Sequence, residues 1–214
     1  MILPDGTRLV FIGDSITDTG RKRPVGVAPE LGSGYVSQIN ALLMATYPER
    51  AIDVLNTGIS GNRVPDLENR WQTDVINLNP DWLSILIGIN DVWRQFDSAD
   101  NPNQVSPEQF ESVYRGLLAR TCPRIKGLVI MTPFFIEPDR TDPMRARMDI
   151  YGTIVKTLAS EFSAVLVDTQ AAFDTYLGHR PWQTLCADRV HPNLSGHMII
   201  ARAWLTSLGF NWQH

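Results

Sequence analysis

Five short runs rich in Val, Ile and Leu recur along the chain, at Leu9–Gly13, Ile52–Asn56, Trp82–Ile87, Gly127–Met131 and Val165–Asp168. None alternates cleanly between apolar and polar residues, which is the pattern of a strand buried on both faces. Helical periodicity fills the intervals, at Tyr35–Thr46, Pro65–Leu78, Pro107–Arg120, Pro143–Glu161 and Asn193–Leu208. The third of these has a good start signal, with Ser106 as cap, Pro107 at the first helical position and Gln109 three residues after the cap. Strands and helices in alternation specify a parallel sheet with helices on both faces, a three-layer α/β/α architecture. No repeat, low-complexity tract or Gly/Ser linker interrupts the 214 residues, so 1–214 reads as one domain.

Composition removes several functions. Nineteen basic against 23 acidic side chains give a net charge of −4, which argues against a nucleic-acid protein that binds through an overall basic surface. Cys122 and Cys186 are too few for a disulfide framework or a four-cysteine zinc site, and they read as ordinary thiols. His191 and His197 are six apart, the wrong phase for a metal pair on one helix, so neither metal nor cofactor is implied. Residues 1–11 lack the basic and apolar regions of a signal peptide, and no apolar run approaches the ~20 residues of a membrane helix. A cytoplasmic protein that works without a membrane partner is the expectation.

Two segments, Ile16–Gly34 and Gly88–Val105, are longer than such a sheet requires as loops, and unstructured loops of that length are usually functional. Ligands of open parallel sheets bind beyond the carboxyl ends of the strands, so chemistry belongs just after each one. Gly13-Asp14-Ser15-Ile16-Thr17 follows the first strand, where Ser15 either caps a turn or presents a nucleophilic hydroxyl. Asn56-Thr57-Gly58-Ile59-Ser60-Gly61-Asn62 follows the second, with glycines that let backbone approach a ligand closely. Gly88-Ile89-Asn90-Asp91 follows the third, and the side-chain NH₂ of Asn90 is a donor fit for a developing oxyanion. Near the end, Asp188-Arg189-Val190-His191-Pro192-Asn193 lets Asp188 fold back on the imidazole, fix its tautomer and stabilise the imidazolium. Singly, each of these is ordinary turn chemistry.

Together they are not. In a sheet of order 2-1-3-4-5, Ser15, Gly61 and Asn90 stand on neighbouring loops, and His191 arrives from the segment after strand five. Independent turn residues do not assemble a nucleophile, a base, its orienter and three oxyanion donors. The Gly-x-Ser-x-Gly elbow of α/β-hydrolases and the Gly-x-Gly-x-x-Gly and Walker A motifs of nucleotide binders are absent. Gly13-Asp14-Ser15, Gly61, Gly88-Ile89-Asn90-Asp91 and Asp188-x-x-His191 resemble, in order, the signature blocks of the SGNH (GDSL-type) hydrolases. The likeness runs from Phe11 to about Met198. It is closer still to bacterial intracellular acetylxylan esterases in Phe11–Asp18, Gly58–Asn62, Gly88–Gln95, Met131–Phe134 and Asp168–Phe173.

That resemblance implies a flavodoxin-like five-stranded parallel sheet and ester hydrolysis, without fixing the acyl group or the alcohol. It implies Ser15 as nucleophile, His191 as base and Asp188 as its orienter. The oxyanion hole is then the backbone N–H of Ser15 and of Gly61 with the side-chain amide of Asn90. Asp14 reads as a brace for the serine turn and a peripheral substrate-site residue. Trp93 and Arg94 are candidates for contact with a sugar, and Phe134 and Phe135 either wall an acyl pocket or join the core. Arg21-Lys22-Arg23 reads as a solvated charge run. Trp71, Trp82 and Trp204 read as core. His197, inside the last helical pattern, reads as a packing or surface residue. The leading expectation is an esterase that deacetylates xylo-oligosaccharides. The alternatives are a lysophospholipase, thioesterase or arylesterase with the same machinery, and a non-catalytic binding module on the same sheet. Relatives also suggest a homo-oligomer.

Overall fold

The computed structural model describes residues 1–97 and 104–213. One sheet of six strands runs through it: β1 (Arg8–Gly13), β2 (Gly26–Val27), β3 (Asp53–Asn56), β4 (Trp82–Leu86), β5 (Gly127–Met131) and β6 (Val165–Val167). Their order is β2-β3-β1-β4-β5-β6. The five longer strands are the five apolar runs, all parallel, and their order is the one expected from sequence. The addition is β2, two residues of the first long segment that pair antiparallel with β3 at the edge. A two-residue strand has no periodicity to betray it, and an antiparallel edge on a parallel sheet is common.

Eight α-helices accompany the sheet among the described residues: α1 (Ser15–Asp18), α2 (Tyr35–Thr46), α3 (Val64–Asp74), α4 (Ile89–Asp97), α5 (Pro107–Thr121), α6 (Pro143–Glu161), α7 (Thr169–Leu177) and α8 (Leu194–Ser207). Helix α2 packs on α8, while α3, α5 and α6 pack in succession against one another. Right-handed crossovers place the two groups on opposite faces of the sheet. Both faces are therefore covered, and Leu9, Val10, Phe11, Ile12, Leu83, Ile85, Val129 and Ile130 are wholly buried. Trp71, Trp82 and Trp204 also lie in the core. Ser106 caps α5 by accepting from the Gln109 amide at 3.2 Å.

Helices α1 and α4 stand, in part or whole, where the sequence reading had loop, and α7 forms where it named no element. The segment 88–105 folds at once into α4, and its residues 98–103 lie outside the described residues. Helix α4 starts within three residues of the end of β4 with no polar spacer, so the helical pattern of Ile89, Val92, Trp93 and Phe96 merges with the apolar strand before it. Helix α7 is likewise short and follows β6 directly, with Asp168 as its cap through the Ala171 amide. Helix α3 stops at Asp74, and residues Ile76–Leu78 form a separate 3₁₀ turn instead of a last helical turn.

Candidate active site

Strand β1 ends at Gly13, where a Cβ would lie 2.3 Å from the Leu86 carbonyl oxygen and 2.4 Å from Thr17 Oγ1. Only glycine lets β1 and β4 approach this closely, and the chain then turns sharply into α1. Asp14 caps that turn, its Oδ1 accepting from the Ile16 amide at 3.0 Å. Ser15, the first residue of α1, is thereby half-exposed at the carboxyl end of the central strand.

The partner of Ser15 comes from the far end of the sequence. Asp188 accepts from the amides of Val190 at 3.0 Å and His191 at 2.8 Å, so its carboxylate closes its own small loop. The reversal needs Arg189 in the left-handed region, at φ 63°. A Cys186–Pro192 bridge and the Asn193 amide on Leu185 O close the base of this loop. Asp188 Oδ2 then lies 2.6 Å from His191 Nδ1, and His191 Nε2 lies 3.0 Å from Ser15 Oγ. A carboxylate only accepts, so the proton sits on Nδ1 and Nε2 is free to accept from the serine hydroxyl. Burial by itself would raise the Asp188 carboxyl, but its bonds to His191 and the two amides hold it below the usual range. Side chains of Asp188 and His191 remain 41% and 47% exposed, so the pair opens on solvent where a substrate can reach it.

The loop after β3 carries Gly61, exposed and left-handed at φ 82°. The helix after β4 carries Asn90, which is buried and donates through Nδ2 to the Asn62 carbonyl at 3.1 Å. Its neighbour Asp91 is wholly buried and accepts from the Val64 amide at 2.9 Å. The two consecutive residues of α4 thus grip the Gly61 loop on either side of Arg63. An NH₂ has two hydrogens, and Asn90 uses one of them on Asn62.

Several residues that hold this arrangement were invisible as such in the sequence. Asp18 Oδ2 accepts from Ser60 N at 3.0 Å, Ser60 Oγ at 2.9 Å and Arg23 Nη2 at 2.6 Å, which pins the residue before Gly61. Arg70 donates to Gly13 O, Thr57 O and Asn62 Oδ1 at 3.0, 2.6 and 2.7 Å, tying the serine turn to the Gly61 loop. Arg21 corrects the reading of Arg21-Lys22-Arg23 as a solvated run. It is buried and gives its guanidinium to the Gly58, Lys22 and Pro24 carbonyls. The bonds that tie these segments together, Asp18 to Ser60, Arg21 to Gly58 and Arg70 to Gly13, span 37 to 57 positions and cannot be read from spacing.

The weaker sequence candidates separate. Trp93 is half-buried with its ring 6.0 Å from that of His191, at the edge of the site. Arg94 is committed to Asp97 at 2.7 Å and to the Trp93 ring at 5.9 Å. Phe134 is wholly buried against Phe173, ring centres 4.5 Å apart, which makes it core and not a wall open to substrate. Asp14 is 1% exposed and reaches no substrate, so it braces the turn only. Burial pushes its carboxyl up to about 7, and burial does the same to Asp91. His197 is buried beside Tyr35, accepts from the Tyr35 amide at 3.3 Å, and is pushed down to about 4 by burial. Among the described residues no group of three His, Cys, Asp or Glu side chains could hold a metal ion, and no helix is long and apolar enough to cross a membrane.

A serine hydroxyl on an imidazole backed by a carboxylate, at the carboxyl end of a parallel sheet, defines a serine acyl hydrolase. Residues 11–199 match the GDSL-like lipase/acylhydrolase family, and the chain belongs to it. It is a carboxylic ester hydrolase. An acetylxylan esterase of Geobacillus stearothermophilus is 51% identical over 215 residues, covering 99% of this chain and 98% of that one. The crystal structure of an acetylxylan esterase from that organism superposes with a TM-score of 0.98 at 50% identity, over 100% of this chain and 99% of the other. An alpha/beta hydrolase enzyme from the metagenome of Lake Arreo, Spain, is 49% identical with a TM-score of 0.94, each chain covered to 97%. Catalytic mutants of the Geobacillus enzyme replace a serine at position 15, an aspartate, and a histidine three positions beyond that aspartate. The same spacing separates Asp188 from His191 here.

Proposed function

We propose that this protein removes acetyl groups from short xylan-derived oligosaccharides by two-step acyl transfer, with Ser15 as nucleophile. The observation that carries the reading is the unbroken chain Ser15 Oγ–His191 Nε2, 3.0 Å, and His191 Nδ1–Asp188 Oδ2, 2.6 Å. Similarity over the whole chain to an acetylxylan esterase supports the choice of ester.

His191 takes the Ser15 proton as the oxygen attacks the ester carbonyl. The negative charge that develops on the carbonyl oxygen is met by the Ser15 amide, the Gly61 amide and the second hydrogen of Asn90 Nδ2. Collapse of the tetrahedral intermediate expels the sugar alkoxide, which takes the proton from His191 Nε2, and leaves acetyl on Ser15. Water enters, His191 removes its proton, and a second tetrahedral intermediate breaks down to acetate and free serine. Throughout, Asp188 stays ionised, holds the imidazole and stabilises the imidazolium. Trp93 closes the site on the α4 side, and Arg94, stacked on it, holds its ring.

The test is hydrolysis of aryl esters from acetate to octanoate, together with acetate release from acetylated xylo-oligosaccharides, with Ser15→Ala as control. Preference for acetate, strong release from the oligosaccharide and an inert Ser15→Ala protein are the expected results. Rates that climb toward octanoate with no release from sugar would replace this reading with a lipid or thioester substrate. A Ser15→Ala protein with wild-type rates would remove the nucleophile.

A further inference from the structure

The direction of proton transfer decides where the alcohol must sit. His191 Nε2 gives its proton to the departing alkoxide, so the leaving group occupies the space on the imidazole side of the ester. A cleft of ≈ 520 Å³ lies against His191, formed by the segment from Trp182 to Asn193. That is within the roughly 300–1,000 Å³ range of small-molecule sites. Trp93, whose ring lies 6.0 Å from that of His191, is not among its walls.

The walls of this cleft select a chemistry. They carry no Lys, Arg, Asp or Glu side chain, which suits an uncharged alcohol and offers nothing to a phosphate. Trp182 contributes a half-buried indole from the turn Trp182–Thr184. Arg189, outside the cleft, lies 5.9 Å over the same indole and 4.7 Å over Phe135, and is anchored on Glu137 Oε2 at 2.7 Å. The ring is therefore backed and held. Asn193 is spent, since its side chain bonds Thr184 O and caps α8 through the Ser195 and Gly196 amides. Gln183 is exposed, and its amide makes no hydrogen bond among the described residues. Ala187 adds only a methyl and leaves the entrance open.

We infer that this cleft is the subsite for the leaving alcohol and that it takes a neutral pyranose, whose apolar face stacks on Trp182 while its hydroxyls bond the Gln183 amide. The inference rests on the acetyl-sugar reading above and names the side chains that choose the sugar. A planar apolar platform with a free amide beside it matches a ring that is apolar on its faces and polar at its rim.

The experiment compares esters that share the acetyl group and differ in the alcohol: ethyl acetate, acetylated xylobiose and acetylated glucose. Each is assayed with the wild type, Trp182→Ala, Trp182→Phe and Gln183→Ala. Trp182→Ala is expected to lower kcat/KM on the sugar esters ~10–100-fold, mostly through KM, while ethyl acetate changes less than ~3-fold. Trp182→Phe restores most of the loss. Gln183→Ala, at an exposed position that does not endanger folding, lowers the sugar esters alone by ~3–10-fold. Equal losses on ethyl acetate and sugar esters, or sugar rates unchanged in both Trp182→Ala and Gln183→Ala, overturn the subsite. A wild type that cleaves acetylated glucose but not acetylated xylobiose overturns the xylan reading and leaves the subsite to be judged on glucose. No turnover of any sugar ester overturns both.

Discussion

Replacing Asn90 by alanine separates the chemical from the structural work of one side chain. Asn90 is 4% exposed, and its Nδ2 donates to the Asn62 carbonyl at 3.1 Å. Losing that bond costs ~1 kcal/mol of stability, which lowers Tm by ~2–4 °C in a chain of this size. Even if the whole of that loss were felt at the Gly61 loop, it would amount to about a fivefold effect on rate. Removing a donor aimed at the oxyanion costs much more, ~10²–10³ in kcat or roughly 3–4 kcal/mol, because the charge it meets exists only in the transition state. The expected Asn90→Ala protein is therefore folded, nearly as stable as the wild type, unchanged in KM and slower by two to three orders of magnitude. Steady-state kinetics on 4-nitrophenyl acetate and a thermal melt provide both numbers. A folded variant whose kcat falls by fivefold or less, or whose defect lies in KM, would show that Asn90 only props the loop.

Asp188→Asn preserves an acceptor for the Val190 and His191 amides but offers His191 Nδ1 no carboxylate, so kcat should fall by ~10³–10⁴ with the melt little changed; retention of more than a tenth of the activity would contradict the triad. Gly61→Ala meets no atom within 4 Å but must hold φ 82°, so it should cost ~1–2 kcal/mol and slow the enzyme, while Gly61→Asn, which tolerates that region, should keep more of both; an indifferent Gly61→Ala would free the loop from its assigned role. Asp91 has a carboxyl raised from 3.8 to about 7, so the fold binds more protons than the unfolded chain across that window and loses stability as pH rises through it. Relative to Asp91→Asn, the wild type should lose up to ~4 kcal/mol between pH 4 and pH 8 in denaturant titrations, and a difference of the opposite sign would refute the argument. His197, lowered from 6.5 to about 4, works in the other direction and removes stability as pH falls between those values, so the slope must be read as the difference between the two proteins and not from the wild type alone.

How far the sequence discloses the molecule depends on the range of the interactions involved. The five parallel strands are legible because burial on both faces leaves unbroken Val, Ile and Leu runs. The Asp188–His191 pair is legible for a related reason: every bond that shapes it, from Asp188 to Val190 N, His191 N and His191 Nδ1, lies within three residues. Helix α4 and strand β2 escape because one merges with the strand before it and the other is two residues long. Arg21 escapes because its burial depends on the Gly58 carbonyl, 37 positions away. Asp18 meets its Ser60 partner 42 positions along, and Arg70 reaches back 57 positions to Gly13. The residues proposed for catalysis show in the sequence, as do Asp188 and Asp14 beside them, whereas the distant supports Asp18, Arg21 and Arg70 do not.

That division bears on how the two halves of the site tolerate change. The Asp188–His191 half is closed by its own carboxylate and by the Cys186–Pro192 bridge, and Arg189 inside it is tied to the Ile136 amide and to Glu137. The half proposed for the oxyanion is held differently. The Gly61 loop is held from outside by Asp18, Arg70, Asn90 and Asp91, contributed by three different helices. Arg70 in addition holds the Gly13 carbonyl at the end of β1, so the serine turn and the Gly61 loop move as one body if that guanidinium shifts. A lysine at position 70 would keep the charge but lose the planar fork that reaches three acceptors on two loops at once. The half-buried Arg70 thus holds the turn of Ser15 and the loop of Gly61, the proposed nucleophile and oxyanion donors, in one frame.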